Sequence, residues 1–368
     1  MEDVKRLGEA LSPEELVTDN FYEICQLSAD KAAHLPKGML DAAEESVKIR
    51  QQSVYCAIDR RCGIISPEKD LIRSTEMYEL IQVADRCFYI QCPAKIGVVL
   101  TGDGEVCLID SGNDKDAGKK VKKHLDAKGW KLKAIYNTHS HADHIGGNKY
   151  LQAQTGCNVF APGIERDFTE HPVLEPSYLY GGNPPKELKH KFLMAQECEV
   201  KPLSADCLPD GWSVVPLPGH SFDMTGFRVP GDVVFLADCL SSRETLEKYQ
   251  VSFLTDVERS LETLEKVKSM QAEMFIPSHA DAASEIAPLA QANIDKMLEI
   301  AGKITDFCRE PLCFEQILKK VFEEYNLLMT FEQHALIGST VRSYLSWLSE
   351  TGRLRMKIEE NLLLWERA

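Results

Sequence analysis

The amino-acid sequence predicts an α/β fold, and three observations carry that reading. Short apolar runs separated by turn residues begin at Met77: residues 78–83, 87–90, 97–100 and 106–110, with Gly102-Asp103-Gly104 as a turn signal between the last two. A helical stretch with Lys119, Val121 and Leu125 then leads into a further strand at 132–136, so a meander gives way to a strand–helix–strand unit. Beyond residue 240 the apolar spacing turns helical, over 241–270 and 286–307, with Pro288 tolerable in a first turn.

The composition is that of an ordinary globular chain. Of 368 residues, 44% are hydrophobic and 27% charged, which is enough for a sizeable core and more than one domain. A net charge of −15 disfavours nonspecific binding to nucleic acid or anionic membranes. No run approaches the ~20 apolar residues that a membrane span needs. The first residues, Met1-Glu2-Asp3-Val4-Lys5-Arg6, lack an apolar signal core, so a cytoplasmic chain is expected. Its 12 cysteines contain no C-x-x-C pair, and reduced thiols are expected rather than a disulfide framework.

Residues 1–76 read as a helical N-terminal extension. Ser12-Pro13-Glu14-Glu15 supplies an N-cap, a proline at the first helical position and acidic first-turn residues. Leu16, Phe21, Ile24 and Leu27 then fall on one face, and residues 37–50 form a second candidate helix. A cap on the following domain and a dimer contact are both open roles for it.

The chemistry concentrates in Asn137-Thr138-His139-Ser140-His141-Ala142-Asp143-His144-Ile145-Gly146-Gly147. Three of the chain's 10 histidines and an aspartate share six positions, directly after the strand at 132–136. Gly146-Gly147 is read as permitting unusual backbone angles before a helix starting near Asn148. Neutral imidazole and carboxylate are ligands of zinc and similar divalent ions. Four such groups cannot all serve one ion with good geometry, whereas two neighbouring ions would use them all.

His139-Ser140-His141-Ala142-Asp143-His144 resembles the HxHxDH signature of the metallo-β-lactamase superfamily. Three downstream segments resemble the rest of that family's pattern: Pro218-Gly219-His220-Ser221, the run Val233-Val234-Phe235-Leu236-Ala237-Asp238, and Phe275-Ile276-Pro277-Ser278-His279. The resemblance implies an αββα sandwich over 77–308 that holds two divalent ions, zinc foremost, with iron or manganese as alternatives. It implies His139, His141 and His220 on one ion, Asp143, His144 and His279 on the other, and Asp238 bridging them. A histidine at 144 is similar to the glyoxalase II-like branch. Asp110, at the end of its strand, would brace the metal loop, or else act as a helix cap or turn residue.

The mechanism expected from that set is hydrolytic. Two ions sharing one water lower its pKa from ~15.7 toward ~7 and polarise the substrate oxygen. Asp143 would hold the nucleophile and take a proton. A small ester, thioester, lactone or amide is the expected substrate class. A phosphodiesterase or ribonuclease, and a non-hydrolytic iron enzyme on the same scaffold, are the alternatives.

Between the metal loop and His220 runs an insert, 171–185, rich in Pro, Gly and aromatics and without a helical or strand period. Such a segment reads as a lid, which makes His171, Tyr178 and Tyr180 candidates for substrate contact. The tyrosines could equally pack the loop onto the surface. A short helix is expected over 186–196.

Residues 309–368 change character. Helices over 314–325 and 332–348 precede two strands around a tight turn at 354–365, a pattern similar to the winged-helix module of some metallo-β-lactamase-fold hydrolases. From Pro311 to the end there are 7 Lys and Arg against 8 Asp and Glu, and the second helix offers only Arg342. A nucleic-acid reader needs a basic stripe, so packing or homodimer formation is the expected role here.

Overall fold

Strands β1 (Glu79–Ala84), β2 (Cys87–Gln91), β3 (Ile96–Leu100) and β4 (Glu105–Ile109) form the antiparallel meander that the apolar runs predict. The computed structural model describes residues 78–368, and the helices expected within 1–76 lie outside the described residues. Helix α1 (Lys115–Lys128) crosses over to β5 (Lys131–Tyr136), which pairs parallel with β4. Asp114 caps α1 by accepting from the N–H groups of Asp116 and Ala117. Two short helices, α2 (Ala142–Ile145) and α3 (Asn148–Thr155), lead to β6 (Asn158–Ala161). Then come α4 (Glu165–Glu170), α5 (Leu174–Tyr180) and β7 (Lys201–Pro202). The resulting seven-stranded sheet runs in chain order from β1 to β7.

A second sheet takes β8 (Ser213–Pro216), β9 (Thr225–Val229), β10 (Val233–Ala237) and β11 (Met274–Pro277). Its order is β11-β10-β9-β8, and only the β10–β11 pair is parallel. Between those two strands lie α6 (Arg243–Tyr249) and α7 (Val257–Lys268). The 241–270 stretch therefore breaks into two helices, and the break carries Phe253 toward the site described below.

The two sheets pack face to face over Cys107, Ile109, Ala134, Tyr136, Phe227, Val233, Phe235 and Ile276. Side-chain alternation sends Val106 and Leu108 to the opposite face of the first sheet, beside Val121 and Leu125 of α1. Val234 and Leu236 likewise face Leu264 and Val267 of α7. Strands buried on both faces explain why these runs are continuously apolar. Each fully buried Val, Leu, Ile or Phe contributes about 1.5–3 kcal/mol. The layers are thus helix, sheet, sheet, helix, as expected.

The chain ends with α8 (Ala287–Phe307), β12 (Leu312–Cys313), α9 (Phe314–Glu324), α10 (Phe331–Glu350) and the hairpin β13 (Leu354–Glu359) and β14 (Leu362–Arg367). Strand β12 pairs with β14, making a three-stranded antiparallel sheet. Ile300, Ile304, Leu318, Val321, Ile337, Val341 and Leu345 form one core shared by α8, α9 and α10. Residues 332–348, which suggested one or two helices, lie in the single helix α10.

Two local expectations fail. The 171–185 insert contains helix α5: Pro176 falls in its first turn, where a missing N–H costs nothing, and Gly181 closes it in the left-handed region. Residues 186–196 hold only a single 3-10 turn at Lys186–Leu188, anchored by the buried Leu188.

Candidate metal centre

Four strand ends and one connecting loop deliver the cluster. The loop after β5 carries His139 and His141, and α2 carries Asp143 and His144. His220 lies on the β8–β9 connection, Asp238 follows β10, and His279 follows β11. Asp110, just past β4, and Ala237, just before Asp238, both adopt positive φ (63° and 51°). Non-glycine residues hold such angles only where the surroundings enforce them.

Gly146 and Gly147 have ordinary helical angles, contrary to expectation. Their reason is space: a Cβ on Gly146 would lie 2.3 Å from the Asn113 carbonyl carbon, and one on Gly147 2.3 Å from the Ser111 oxygen. The short helix α2 therefore rests directly on the loop that follows β4.

The donor atoms fall into two groups, each with its atoms within 4.8 Å of one another: His139, His141 and His220, then Asp143, His144, Asp238 and His279. In the first, His141 Nδ1 lies 3.0 Å from His139 Nε2 and 3.0 Å from His220 Nε2. Asp238 stands between the groups. Its Oδ2 is 3.6 Å from His220 Nε2, 3.9 Å from His139 Nε2 and 3.0 Å from His279 Nε2, and its Oδ1 is 3.2 Å from His144 Nε2. Asp143 Oδ2 lies 3.3 Å from His279 Nε2 and 3.7 Å from His144 Nε2.

The outward ring nitrogens are held as metal-ligating histidines require. His139 Nδ1 meets Thr138 Oγ1 at 3.0 Å, and His144 Nδ1 meets Asp110 Oδ2 at 2.8 Å. His220 Nδ1 donates to the Phe253 carbonyl at 3.0 Å, and His279 Nδ1 to that of Pro93 at 2.8 Å. Asp110 also accepts from the Thr138 N–H and hydroxyl, both at 2.8 Å, joining the end of β4 to the loop that carries His139.

Electrostatics separate the two groups. Burial, reinforced by neighbouring imidazoles, holds His139 well below its ordinary pKa and brings His141 and His220 down to about 4. These three are neutral at pH 7, as metal ligation requires. Burial acts the same way on His144 and His279, but Asp238 and Asp143 outweigh it, raising His144 well above its usual value and His279 to about 10. Burial also opposes ionisation of Asp143 and Asp238, yet those imidazoles hold both carboxyls below the usual range.

The residues fit two cations. His144 Nε2 and Asp238 Oδ1 are buried without a hydrogen-bond partner, although they lie only 3.2 Å apart. Buried polar atoms left so are costly, and an ion held by both would satisfy them. Nitrogen and oxygen donors of this kind suit zinc, with iron and manganese as other takers.

The lid residues land elsewhere. A cavity of about 910 Å³ is lined by His220, Asp238 and His279, and His171, Tyr178 and Tyr180 do not line it. His171 is exposed at the C-terminus of α4. Tyr178 and Tyr180, 36% and 51% exposed, border a separate cavity with Ser339, Arg342 and Trp347. Helix formation is the cause, because it buries Glu175 and Leu179, four residues apart, and turns both tyrosines away.

Three residues of the site went unforeseen. Glu165, fully buried, accepts from Ser140 N (3.0 Å), Ser140 Oγ (2.6 Å), Ser221 Oγ (2.6 Å) and Asp223 N (3.0 Å), tying the His139–His141 loop to the His220 loop. Lys95, also buried, donates through Nζ to the Ala280 carbonyl, and its backbone N–H donates to Ser278 O at 3.2 Å, clamping the His279 turn. Glu175 of α5 faces His141, and burial beside Glu165 pushes its carboxyl up to about 8. For Glu165 the one available signal is position: it follows β6 at the carboxyl end of a parallel strand, where α/β sheets place their sites.

The family model described as "Metallo-beta-lactamase superfamily" matches residues 92–279, which span every donor named above. The chain belongs to the metallo-beta-lactamase superfamily. Among curated superfamily relatives, the hydroxyacylglutathione hydrolase of Methylococcus capsulatus is 52% identical over 42 residues, covering 11% of this chain and 16% of that protein. The probable metallo-hydrolase YflN of Bacillus subtilis is 25% identical over 222 residues, covering 54% of this chain and 81% of YflN. The chain thus aligns with only a small part of the hydroxyacylglutathione hydrolases it matches. A crystal structure of a beta-lactamase domain protein from Burkholderia ambifaria superposes with a TM-score of 0.64 at 15% identity, covering 82% of this chain and 96% of that one. That likeness speaks for the fold alone.

Proposed function

We propose that this chain is a binuclear metal-dependent hydrolase acting on a small ester, thioester, lactone or amide. The observation that carries the reading is the pair of donor groups facing each other across Asp238. His139, His141 and His220 would hold one ion, Asp143, His144 and His279 the other, and Asp238 both. When bound, two such ions supply hydroxide at neutral pH and Lewis acidity toward a carbonyl oxygen.

The remaining work falls to the protein. Asp143 Oδ2 is the partly exposed carboxylate of the set and can orient a water and receive its proton. Asp110, Phe253 and Pro93 keep the imidazoles turned to present their inner nitrogens. The 910 Å³ cavity is of the size that takes small molecules, with Leu246, Val251 and Phe253 beside Ser241 and Ser242.

The cations bordering that cavity are engaged, which disfavours the phosphodiesterase alternative. Lys95 is bound to backbone carbonyls, and Lys296 Nζ donates to Gln250 at 2.6 Å and Glu299 at 3.0 Å. Arg342, which borders the separate cavity beside Tyr178, stacks on Phe314 at 3.7 Å. We assign the chain to a reducing compartment, the cytoplasm, because the nine described cysteines are all free. No helix among the described residues is long and apolar enough to cross a membrane.

The test couples metal analysis of the purified protein to a hydrolysis screen over thioesters, lactones, β-lactams and phosphodiesters. Two zinc ions per chain with turnover of an acyl compound is the expected result. Bound iron with redox activity, or preferential phosphodiester cleavage, would replace this reading.

A further inference from the structure

His141 is turned the opposite way from the other four histidines. They point Nε2 inward and Nδ1 outward, whereas His141 presents Nδ1 to the first donor group and leaves Nε2 facing out. The four outward Nδ1 atoms meet Thr138, Asp110, Phe253 and Pro93 at 2.8–3.0 Å. The outward nitrogen of His141 meets Glu175 Oε1 at 3.6 Å. That distance exceeds the ~3.2 Å limit of a good N–H···O bond.

We infer that Glu175, carried on helix α5, is the positioning residue of His141. Accepting the Nε2 proton fixes the tautomer whose Nδ1 lone pair is free for the first ion. A shift of α5 by roughly half an ångström brings the pair into hydrogen-bond range. The inference rests on His141 being a metal ligand.

The packing around α5 supports the assignment. Glu175 is 8% exposed, and no side-chain donor among the described residues hydrogen-bonds its carboxylate. A buried carboxyl group needs such a partner. On one side, the Tyr178 ring meets Phe222 edge-on at 5.1 Å, two residues beyond His220. On the other, Leu179 packs with Leu188 and with Ala335 of α10. Helix α5 is therefore held between the His220 loop and the C-terminal helices, and its one buried carboxyl group is aimed at the His141 imidazole.

The experiment is a zinc titration of the full chain against a chromophoric chelator, for wild type, Glu175→Gln, Glu175→Met and His141→Ala, with hydrogen exchange over 174–180 measured with and without zinc. Glu175→Met keeps the volume but loses the acceptor, and should weaken the first site by about 10–100-fold, the usual loss for such partners. Glu175→Gln keeps an acceptor oxygen and should stay close to wild type. Zinc should slow exchange over 174–180 in wild type and fail to do so in Glu175→Met. Wild-type affinity in Glu175→Met overturns the inference. If His141→Ala also binds zinc normally, the underlying ligand assignment falls; if His141→Ala loses the site while Glu175→Met keeps it, only the role of Glu175 falls. Should Glu175→Met not fold, Glu175→Asp withdraws the carboxylate by one methylene and must weaken the site for the inference to stand.

Discussion

Asp110 Oδ2 lies 2.8 Å from His144 Nδ1, and the same carboxylate holds both the N–H and the hydroxyl of Thr138. One side chain at the end of β4 thus sets the loop after β5 and the ring of a ligand on α2. Asp110→Ala should lower affinity for the second ion by about 10–100-fold. Metal content after gel filtration, with circular dichroism as the folding check, tests this; two retained ions would refute it.

Asp238→Ala removes the carboxylate that stands between the two donor groups. Metal content should fall to one ion per chain or fewer and hydrolysis should be abolished, while the sheets stay folded. A variant that kept two ions and the full rate would end the bridging assignment.

Without an ion, His144 Nε2 and Asp238 Oδ1 are buried without partners. Restoring metal at 100 times its dissociation constant should add about 2.7 kcal/mol for each independent site. Tm should rise by several degrees on zinc addition. An unchanged Tm in calorimetry would mean that the cluster does not bind zinc in the folded state.

Glu165→Ala leaves four donors around Ser140, Ser221 and Asp223 without their acceptor. Buried unsatisfied groups cost about 1–3 kcal/mol each, so a loss of at least ~3 kcal/mol is expected in denaturant unfolding. Metal affinity should fall with it, since Ser140 stands between two ligands. Glu165→Gln, which keeps one acceptor oxygen, should lose less.

Removing residues 311–368 should expose the faces of Ile300 and Ile304 that now pack on α9 and α10. Size-exclusion chromatography should then show aggregation. The full chain should bind RNA weakly, with little change between two salt concentrations. Tight binding that weakens steeply with salt would put the ribonuclease reading first.

The candidate donors were legible in the sequence because three of them sit where an apolar run stops, His139 after residues 132–136, Asp238 after 233–237 and His279 after 274–277, and because His141, Asp143 and His144 crowd beside the first. The sandwich was legible for the same reason, since strands buried on both faces leave continuous apolar runs. Glu165 and Lys95 were not, because a lone charged residue looks like a solvated one until tertiary contacts bury it. Glu175 was hidden by Pro176 and Gly181, which read as breakers although one opens a helix and the other closes it. The tyrosines of the insert misled for the same reason: a segment read as loop gives no face, and the face decides which side chain reaches the donor cluster.

The donors are spread along the chain from the loop after β5 to the turn after β11. A nascent polypeptide leaving the ribosome exposes the first histidines long before His279 emerges. Until then the second group lacks a ligand, and β10 lacks its parallel neighbour β11. Completion of the second donor group therefore waits for His279, and a chain truncated before that residue keeps the first group but cannot complete the second.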